Sequence, residues 1–359
     1  MTALLEYLLA RQIPKTTVVE MGISQRRVDE LYSDGEPTID EIRKISKVFK
    51  VPARDLILPV NRNLGQEVKL RSNFNYTYDD LGFYEACLIE NRLHEISSSI
   101  QIGSHLPFFV DYPRDGNSAE QLSRLFRQTL LGVDFYISLI QLPSIIYNAF
   151  SLFTFTFSSK KIDGASFRKD KAAVIAIAER NDIRMLYTLA HEISHLLVDI
   201  NDHDNREAWI DEDVFASPES DVRRAEFFAN EFAASVLIPA EGLFKEIKAA
   251  RAHRGGPDQL TAYEIACAAR KFGTSFGVAA RRCENLGLLD TGGAASLEIA
   301  LKKQYQSAEK YADRSGIPPR ESINWHYPAT DVVRNLDSQF ESGALSWIRV
   351  HELFNLKIM

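Results

Sequence analysis

The pattern of apolar and polar residues along the chain predicts several helices and a short β-structured region. Apolar residues recur at helical spacing over 181–198 and again over 221–237. The apolar run 142–157 is too short and too polar to cross a bilayer, and it predicts β-structure because apolar and polar residues partly alternate over 145–157, as in a half-buried strand. A turn at 163–164 and a second strand over 172–178 follow. We therefore expect an α+β fold that is mostly helical and contains a small sheet.

The first sixty residues predict a compact bundle of short helices. An apolar helix, a turn at Gly22 and an N-cap at Ser24 lead into a helix whose first turn carries Gln25, Arg26 and Arg27. This order resembles the Xre/Cro-type helix-turn-helix family. The resemblance implies that operator DNA is a partner and that Ser24, Gln25, Arg26 and Arg27 contact its bases. Residues 1–58 also contain nine basic and nine acidic residues. The alternative is therefore a helical bundle that forms a homodimer or docks a partner protein.

Composition and charge restrict the class of protein further. The chain has 359 residues, 45% of them apolar, and a net charge of −7, so it predicts a folded soluble protein without an overall positive field. The N-terminal stretch lacks a basic region and a small-residue cleavage site, which predicts no export signal. Three scattered cysteines are typical of reduced thiols. We expect a cytoplasmic protein with no membrane contact.

The helix predicted over 181–198 contains an HExxH motif formed by His191, Glu192 and His195. Positions i and i+4 lie one turn apart on the same helix face, so both imidazoles can bind one Zn²⁺. Glu192 is offset around the helix, where its carboxylate can serve as general base for an attacking water. Because the surrounding residues are apolar, two buried histidines there require a metal ion or hydrogen-bond partners. Manganese is the alternative ion.

A catalytic zinc site needs a third protein ligand, and the helix predicted over 221–237 supplies carboxylates. Glu226 borders a stripe of small residues that can pack closely against another helix. Glu231 should point away from that stripe, and Glu219 adjoins a loop with Pro218. Asp199 is too far along the first helix to share the ion, and it either orients His195 or caps the helix. Glu226 is our first choice, with Glu231 and Glu219 as competitors.

The stretches YTLAHEISHLL and EFFANEFAASVLIP resemble the ImmA/IrrE family of zinc metallopeptidases, a gluzincin-like HExxH and Glu pattern. The resemblance covers about residues 80–245. It implies a minimal zincin-like core in which His191, His195 and Glu226 bind zinc and Glu192 is the catalytic base. It also implies cleavage of a protein regulator such as a helix-turn-helix repressor. The family often has His where this chain has Asp199.

These observations predict a helix-turn-helix domain at 1–60, a linker at 61–80, a peptidase domain at 81–245 and a helical C-terminal region at 246–359. Residues 199–221 contain nine acidic side chains and one basic one. This segment is either a surface that attracts a cation or a basic polypeptide, such as a DNA-binding repressor, or a solvated loop with no role. The GTSFG sequence around Ser275 fits a nucleophile elbow, but its helical surroundings favour an N-cap. The leading function is a zinc endopeptidase. The alternatives are a DNA-binding regulator that uses the peptidase-like domain as a sensor and a non-catalytic, antitoxin-like scaffold.

Overall fold

The computed structural model describes residues 2–49, 51, 53–58, 88–89, 91–93, 96, 103–157, 159, 162–169, 172–200, 208–211, 221–254, 259–325, 330–343 and 346. The described chain is mostly helical and has one small mixed sheet, which confirms the predicted fold class. None of its described helices is long and apolar enough to cross a membrane.

The N-terminal region is a bundle of short helices around its own core. It comprises α1 (Ala3–Ala10), α2 (Lys15–Glu20), α3 (Gln25–Leu31), α4 (Ile39–Phe49) and a 3-10 turn (Ala53–Leu56). Tyr7, Val28 and Ile45 are among the residues of this core that are fully buried. Gly22 adopts a left-handed φ of +78° between α2 and α3, a conformation that favours glycine.

The sheet has four strands in the order β1, β3, β2, β4. The strands are β1 (Phe153–Phe157), β2 (Gly164–Lys169), β3 (Ala172–Ala178) and β4 (Ala208–Asp211). Strands β1 and β3 run parallel, whereas β2 lies antiparallel to both β3 and β4. Alternate β3 residues face two different buried clusters, because Ile175 belongs to one and Val174 to the other. Both faces of β3 are therefore covered, which explains its continuous apolar sequence.

The remaining described helices follow in chain order, and those over Leu142–Phe150 and Asp182–Val198 pack on the sheet. They are α5 (Gly116–Leu125), which continues as a π-helical turn (Phe126–Leu130), α6 (Leu142–Phe150), α7 (Asp182–Val198), α8 (Asp221–Leu237), α9 (Ala240–Arg254), α10 (Ala262–Lys271), α11 (Phe276–Asn285), α12 (Gly293–Tyr305), α13 (Ala308–Arg314) and α14 (Thr330–Glu341). Helix α8 packs against both α5 and α7. Helix α7 also packs on β2 and β3, so it lies between the sheet and α8.

The predicted β-structure over 142–157 was wrong in its first half. Leu142, Ile146 and Phe150 are buried at a spacing of four residues on α6. Pro143 lies near the start of this helix, and Ser151 ends it with a left-handed φ of 53°. Of the strand predicted over 145–157, only 153–157 is present as a strand. Burial does not alternate along this strand, because Thr156 is buried along with its neighbour Phe157.

The predicted turn at 163–164 and the count of two strands were also wrong. Strand β2 begins at Gly164, and β4 forms inside the acidic segment. Strand β2 carries polar residues whose partners are distant in sequence. Arg168, for example, donates to the carbonyl oxygens of Leu106 and Leu196. Such a strand lacks the local alternation that sequence analysis detects.

Candidate metal centre

Helix α7 brings the two motif histidines together inside the core. Asn181 caps the helix by accepting a hydrogen bond from the Arg184 amide at 3.0 Å, and almost every residue from Met185 onward is buried. His191 and His195 are fully buried and lie one turn apart. Their Nε2 atoms approach to 3.0 Å, so both imidazoles present one nitrogen to the same point.

Helix α8 brings Glu226 to that same point. The two Glu226 carboxylate oxygens lie 3.2 Å from His191 Nε2 and 3.1 Å from His195 Nε2, and the side chain is 3% exposed. Of the two competing carboxylates, Glu231 points elsewhere and accepts hydrogen bonds from Asn285 Nδ2 at 3.0 Å. Glu219 lies outside the described residues. The residues that sequence reasoning placed first are therefore the ones that converge.

A polar group outside the cluster holds the second ring nitrogen of each histidine. His191 Nδ1 lies 3.1 Å from Asn230 Oδ1, and His195 Nδ1 lies 2.8 Å from Asp199 Oδ2. Both partners offer oxygen acceptors, an arrangement that favours the proton on each Nδ1 and leaves each Nε2 available as a metal ligand. Tyr187, one turn before His191, donates to the Asn230 carbonyl oxygen at 3.1 Å. The ring orientations are thus fixed by α7 and α8 themselves.

The donor set and its spacing fit a divalent metal ion. Two imidazole nitrogens and a carboxylate are the ligand types of catalytic zinc sites. Donors at about 2.0–2.1 Å from one tetrahedral ion lie about 3.3 Å from one another, close to the separations observed here. Lone-pair donors brought this near to one another repel unless a cation or shared protons lie between them. The buried group formed by His191, His195 and Glu226 could therefore hold a metal ion.

Glu192 is fully buried beside this cluster, against β2. A β-carbon added to Gly164 would lie 2.5 Å from Glu192 Oε1 and 2.7 Å from Thr188 Cγ2, distances too short for any side chain. Gly164 therefore lets α7 pack closely on the strand while Glu192 keeps its position. Sequence reasoning interpreted this glycine as part of a turn. The glycine itself is visible in the sequence, but its packing role depends on a contact with Glu192, which lies 28 positions later in the chain.

Asp199 ends α7 and links the cluster to a residue that sequence reasoning did not detect. Burial raises its pKa, but hydrogen bonds from His195 and Arg114 and the positive charge of Arg114 outweigh burial, so the pKa lies below its usual value. Arg114 Nη2 contacts Asp199 Oδ1 at 2.9 Å. Asp199 thus orients His195, one of its two predicted roles. Arg114 and Asp199 are 85 positions apart in the chain, so no local pattern could have indicated the pair.

The four residues predicted to read DNA lie at the start of α3. Ser24 caps the helix, its Oγ accepting from the Arg27 amide at 3.4 Å, and Gln25 contacts Asp29. Arg26 is 92% exposed and pairs with Glu30 at 3.2 Å. Arg27 pairs with Glu41 at 2.7 Å and with Glu30 at 2.9 Å. The helix, turn and helix are present, and α3 carries acidic partners for its arginines.

Other chemistry suggested by the sequence has structural explanations. Ser275 caps α11, its Oγ accepting from the Val278 amide at 3.2 Å, as predicted. The helix pair α10 and α11 uses two of its basic residues internally, because Arg270 bonds Asp313 and Arg282 bonds Glu120 at 2.6 Å. Burial raises the pKa of the Cys267 thiol to about 11 and that of Cys283 to about 12, so both thiols are protonated at neutral pH.

The fold and the site together define a metallopeptidase-like domain with a candidate HExxH-type metal site. Residues 148–284 match the Peptidase M78 family model, the IrrE N-terminal-like domain. The match contains both ligand-bearing helices and ends on α11, beyond the predicted peptidase boundary at 245. No helix-turn-helix family matched the chain. A search of curated proteins found no match.

Proposed function

We propose that this protein is a metal-dependent endopeptidase with zinc as its first-choice ion and manganese as the alternative. One observation supports the proposal most strongly. Two helices bring His191, His195 and Glu226 to a single buried point, and the carboxylate of Glu192 follows His191 on the same helix. A metal site that serves only stability usually has four protein ligands, whereas three leave a position for water or substrate.

The proposed chemistry divides between the metal ligands and Glu192. When bound, a divalent ion supplies Lewis-acid polarisation of a peptide carbonyl and lowers the pKa of water. Glu192 accepts the proton of the attacking water on a carboxylate oxygen and delivers it to the leaving nitrogen. The environment of Glu192 favours this transfer, because burial on α7 restricts the carboxylate to few orientations. Gly164 keeps the space that this carboxylate occupies.

A basic polypeptide is the proposed substrate class. In the β2–β4 ladder Asp211 lies opposite Gly164, and Gly164 contacts the catalytic helix at Glu192. The described strand β4, which belongs to the acidic segment 199–221, therefore pairs with β2 beside the strand position that contacts the proposed catalytic base. The segment's excess of eight negative charges would attract a positively charged partner. DNA-binding repressors have this charge, and a helix-turn-helix repressor is our specific candidate.

The test uses the full chain, zinc and a proteome-derived peptide library analysed by mass spectrometry. We expect new cleavage products that are absent with Glu192→Gln, although that variant retains the metal. A purified helix-turn-helix repressor then serves as the protein substrate. Equal cleavage by the parent and Glu192→Gln would overturn the assigned chemistry. Metal binding without any cleavage would favour the scaffold alternative.

DNA binding through the N-terminal bundle is a second proposal. The turn at Gly22, the cap at Ser24 and the solvent-exposed Arg26 support it. We would measure binding to DNA fragments from the protein's own upstream region over a salt series. An electrostatic interface gives an affinity that falls steeply with salt and drops in Arg26→Ala. Absent or salt-insensitive binding would favour the docking alternative.

A further inference from the structure

We propose that Arg114 is a positioning residue for the metal ligand His195 and that it acts through Asp199. This inference rests on the proposed function. Asp199 divides its two oxygens between two partners: Oδ2 accepts from His195 Nδ1 at 2.8 Å, and Oδ1 accepts from Arg114 Nε at 3.1 Å and from Nη2 at 2.9 Å. Arginine, carboxylate and imidazole therefore form one continuous chain that ends at the metal cluster.

Asp199 occupies a place where a carboxylate is unfavourable by itself. It is the residue that ends α7, where the helix dipole is negative, and its side chain is only 6% exposed. Two further carboxylates, those of Glu192 and Glu226, are buried nearby on α7 and α8. A positive charge beside Asp199 offsets this cost, and Arg114 supplies one. With that charge removed, Asp199 would turn toward solvent and release His195.

Arg114 is itself held in place by both ligand-bearing helices. Its guanidinium donates to the backbone carbonyl of Val198 at the end of α7 and to that of Tyr112. The same group lies 5.4 Å from the ring of Phe228, which follows Glu226 by two residues on α8. The Tyr112 and Phe228 rings pack edge to face, with their centroids 6.0 Å apart. A planar guanidinium can make all of these contacts at once, whereas a lysine ammonium cannot.

Arg114 lies outside residues 148–284, the range that matches the peptidase family model. The segment just before α5 therefore contributes to the metal centre of this chain through a residue that contacts no ligand atom. Groups that orient metal-binding histidines typically change metal affinity by about 10–100-fold when they are removed. We expect an effect of that size for Arg114.

The experiment compares Arg114→Gln, Arg114→Lys, Asp199→Asn and the double variant Arg114→Gln/Asp199→Asn in the full chain. Zinc affinity is measured by chelator competition, and the visible spectrum of the cobalt-loaded protein reports ligand geometry. Arg124→Gln is the matched control, because Arg124 pairs with Glu241 at 2.5 Å and lies 4.4 Å from the Phe135 ring, without contact to Asp199. Unfolding of each metal-free variant separates affinity from stability.

We expect Arg114→Gln to bind zinc about 10–100-fold more weakly and to change the cobalt spectrum, while Arg124→Gln leaves both unchanged. The double variant should bind no more weakly than Asp199→Asn, because Arg114 acts through Asp199. Arg114→Lys should also bind more weakly, and it carries the test if Arg114→Gln does not fold. Wild-type affinity and spectrum in the Arg114 variants would overturn this inference alone. Failure of the parent protein to bind zinc would overturn the proposed function instead.

Discussion

Two pairs of helices in this protein carry polar residues at the spacing of known motifs, and they differ in where those side chains point. On α7 and α8 the polar side chains point inward, converge on one point and are oriented by Asn230 and Asp199. On α2 and α3 the charged side chains lie nearer the surface, where Lys15 pairs with Asp29 and Arg26 with Glu30. Spacing alone does not separate these cases. The motif on α7 becomes a candidate site because α8 packs against it and adds Glu226 and Asn230.

The two helix pairs also differ in what their charges do. Hydrogen bonds from Arg27 and Arg26 hold the pKa of Glu30 below its usual value, and the Glu41 carboxylate raises the pKa of Arg27. Much of the positive charge on α3 thus stabilises the bundle itself. In the candidate metal centre the carboxylate of Glu226 faces two histidine nitrogens, an arrangement that could hold a cation. The contrast can be tested by substitutions in each helix pair.

Replacement of Glu192 by Gln should have the largest effect. The amide keeps the shape of the side chain but cannot accept the proton of the attacking water, so the cleavage rate should fall about 10²–10⁴-fold. The metal content should not change, since Glu192 is not a proposed ligand. The rate is measured on the peptide library, with Glu231→Gln on α8 as control. A rate near that of the parent would show that another group acts as the base.

Replacement of Asn230 by Ala tests whether orientation of His191 matters. Loss of the oxygen that accepts from His191 Nδ1 should weaken zinc binding by about 10–100-fold. Chelator competition measures the change. Asn285→Ala removes a comparable amide that bonds Glu231 instead, and zinc affinity should stay the same. Equal affinities in the two variants would mean that packing alone fixes the ring.

Replacement of Gly164 by Ala tests the close contact between β2 and α7. The added methyl would overlap Glu192 Oε1 and Thr188 Cγ2, and such overpacking typically costs about 1–3 kcal/mol. Chemical denaturation measures the cost, and the cleavage rate should fall with it because Glu192 must move. Gly116→Ala is the control, since its added carbon would sit 3.9 Å from the Phe227 ring. Unchanged stability in Gly164→Ala would contradict the described packing.

The smallest effects are expected in the N-terminal bundle. Arg27→Ala should lower the stability of the chain measurably because it removes two ion pairs, whereas Arg26→Ala should leave it nearly unchanged. Thermal unfolding compares the two variants. Equal stabilities would show that the Arg27 pairs contribute nothing.

The pH dependence of this difference follows from the acidic partners of Arg27. The folded-state pKa values of Glu30 and Glu41 are lowered, so their stabilisation is fully present above the unfolded value of about 4.3. It is lost as the pH falls through the lowered folded values. The gap between the parent and Arg27→Ala should therefore narrow as the pH falls below the unfolded value and close once the pH is below the lowered folded values. A gap that persists in acid would assign the effect of Arg27 to packing.

The sequence predicted the ligand-bearing helices better than the sheet, for a physical reason. Both helices carry strong helical periodicity with a cap at Asn181 and a stop at Pro239, all of which are local signals. Strand β2 was missed because its polar residues show no local alternation, and β4 was missed because it pairs with β2, more than thirty positions earlier in the chain. Arg114 and the packing role of Gly164 depend on long-range contacts, so local patterns could not indicate them.

The central claim is that one metal ion binds between α7 and α8, and metal analysis of the purified protein tests it most directly. Elemental analysis after dialysis should find about one zinc or manganese ion per parent chain, as three-ligand sites require. Glu226→Ala should lose most of this metal, whereas Glu231→Ala, altered five residues further along the same helix, should retain it. A parent chain without metal, or equal metal content in the two variants, would contradict the account.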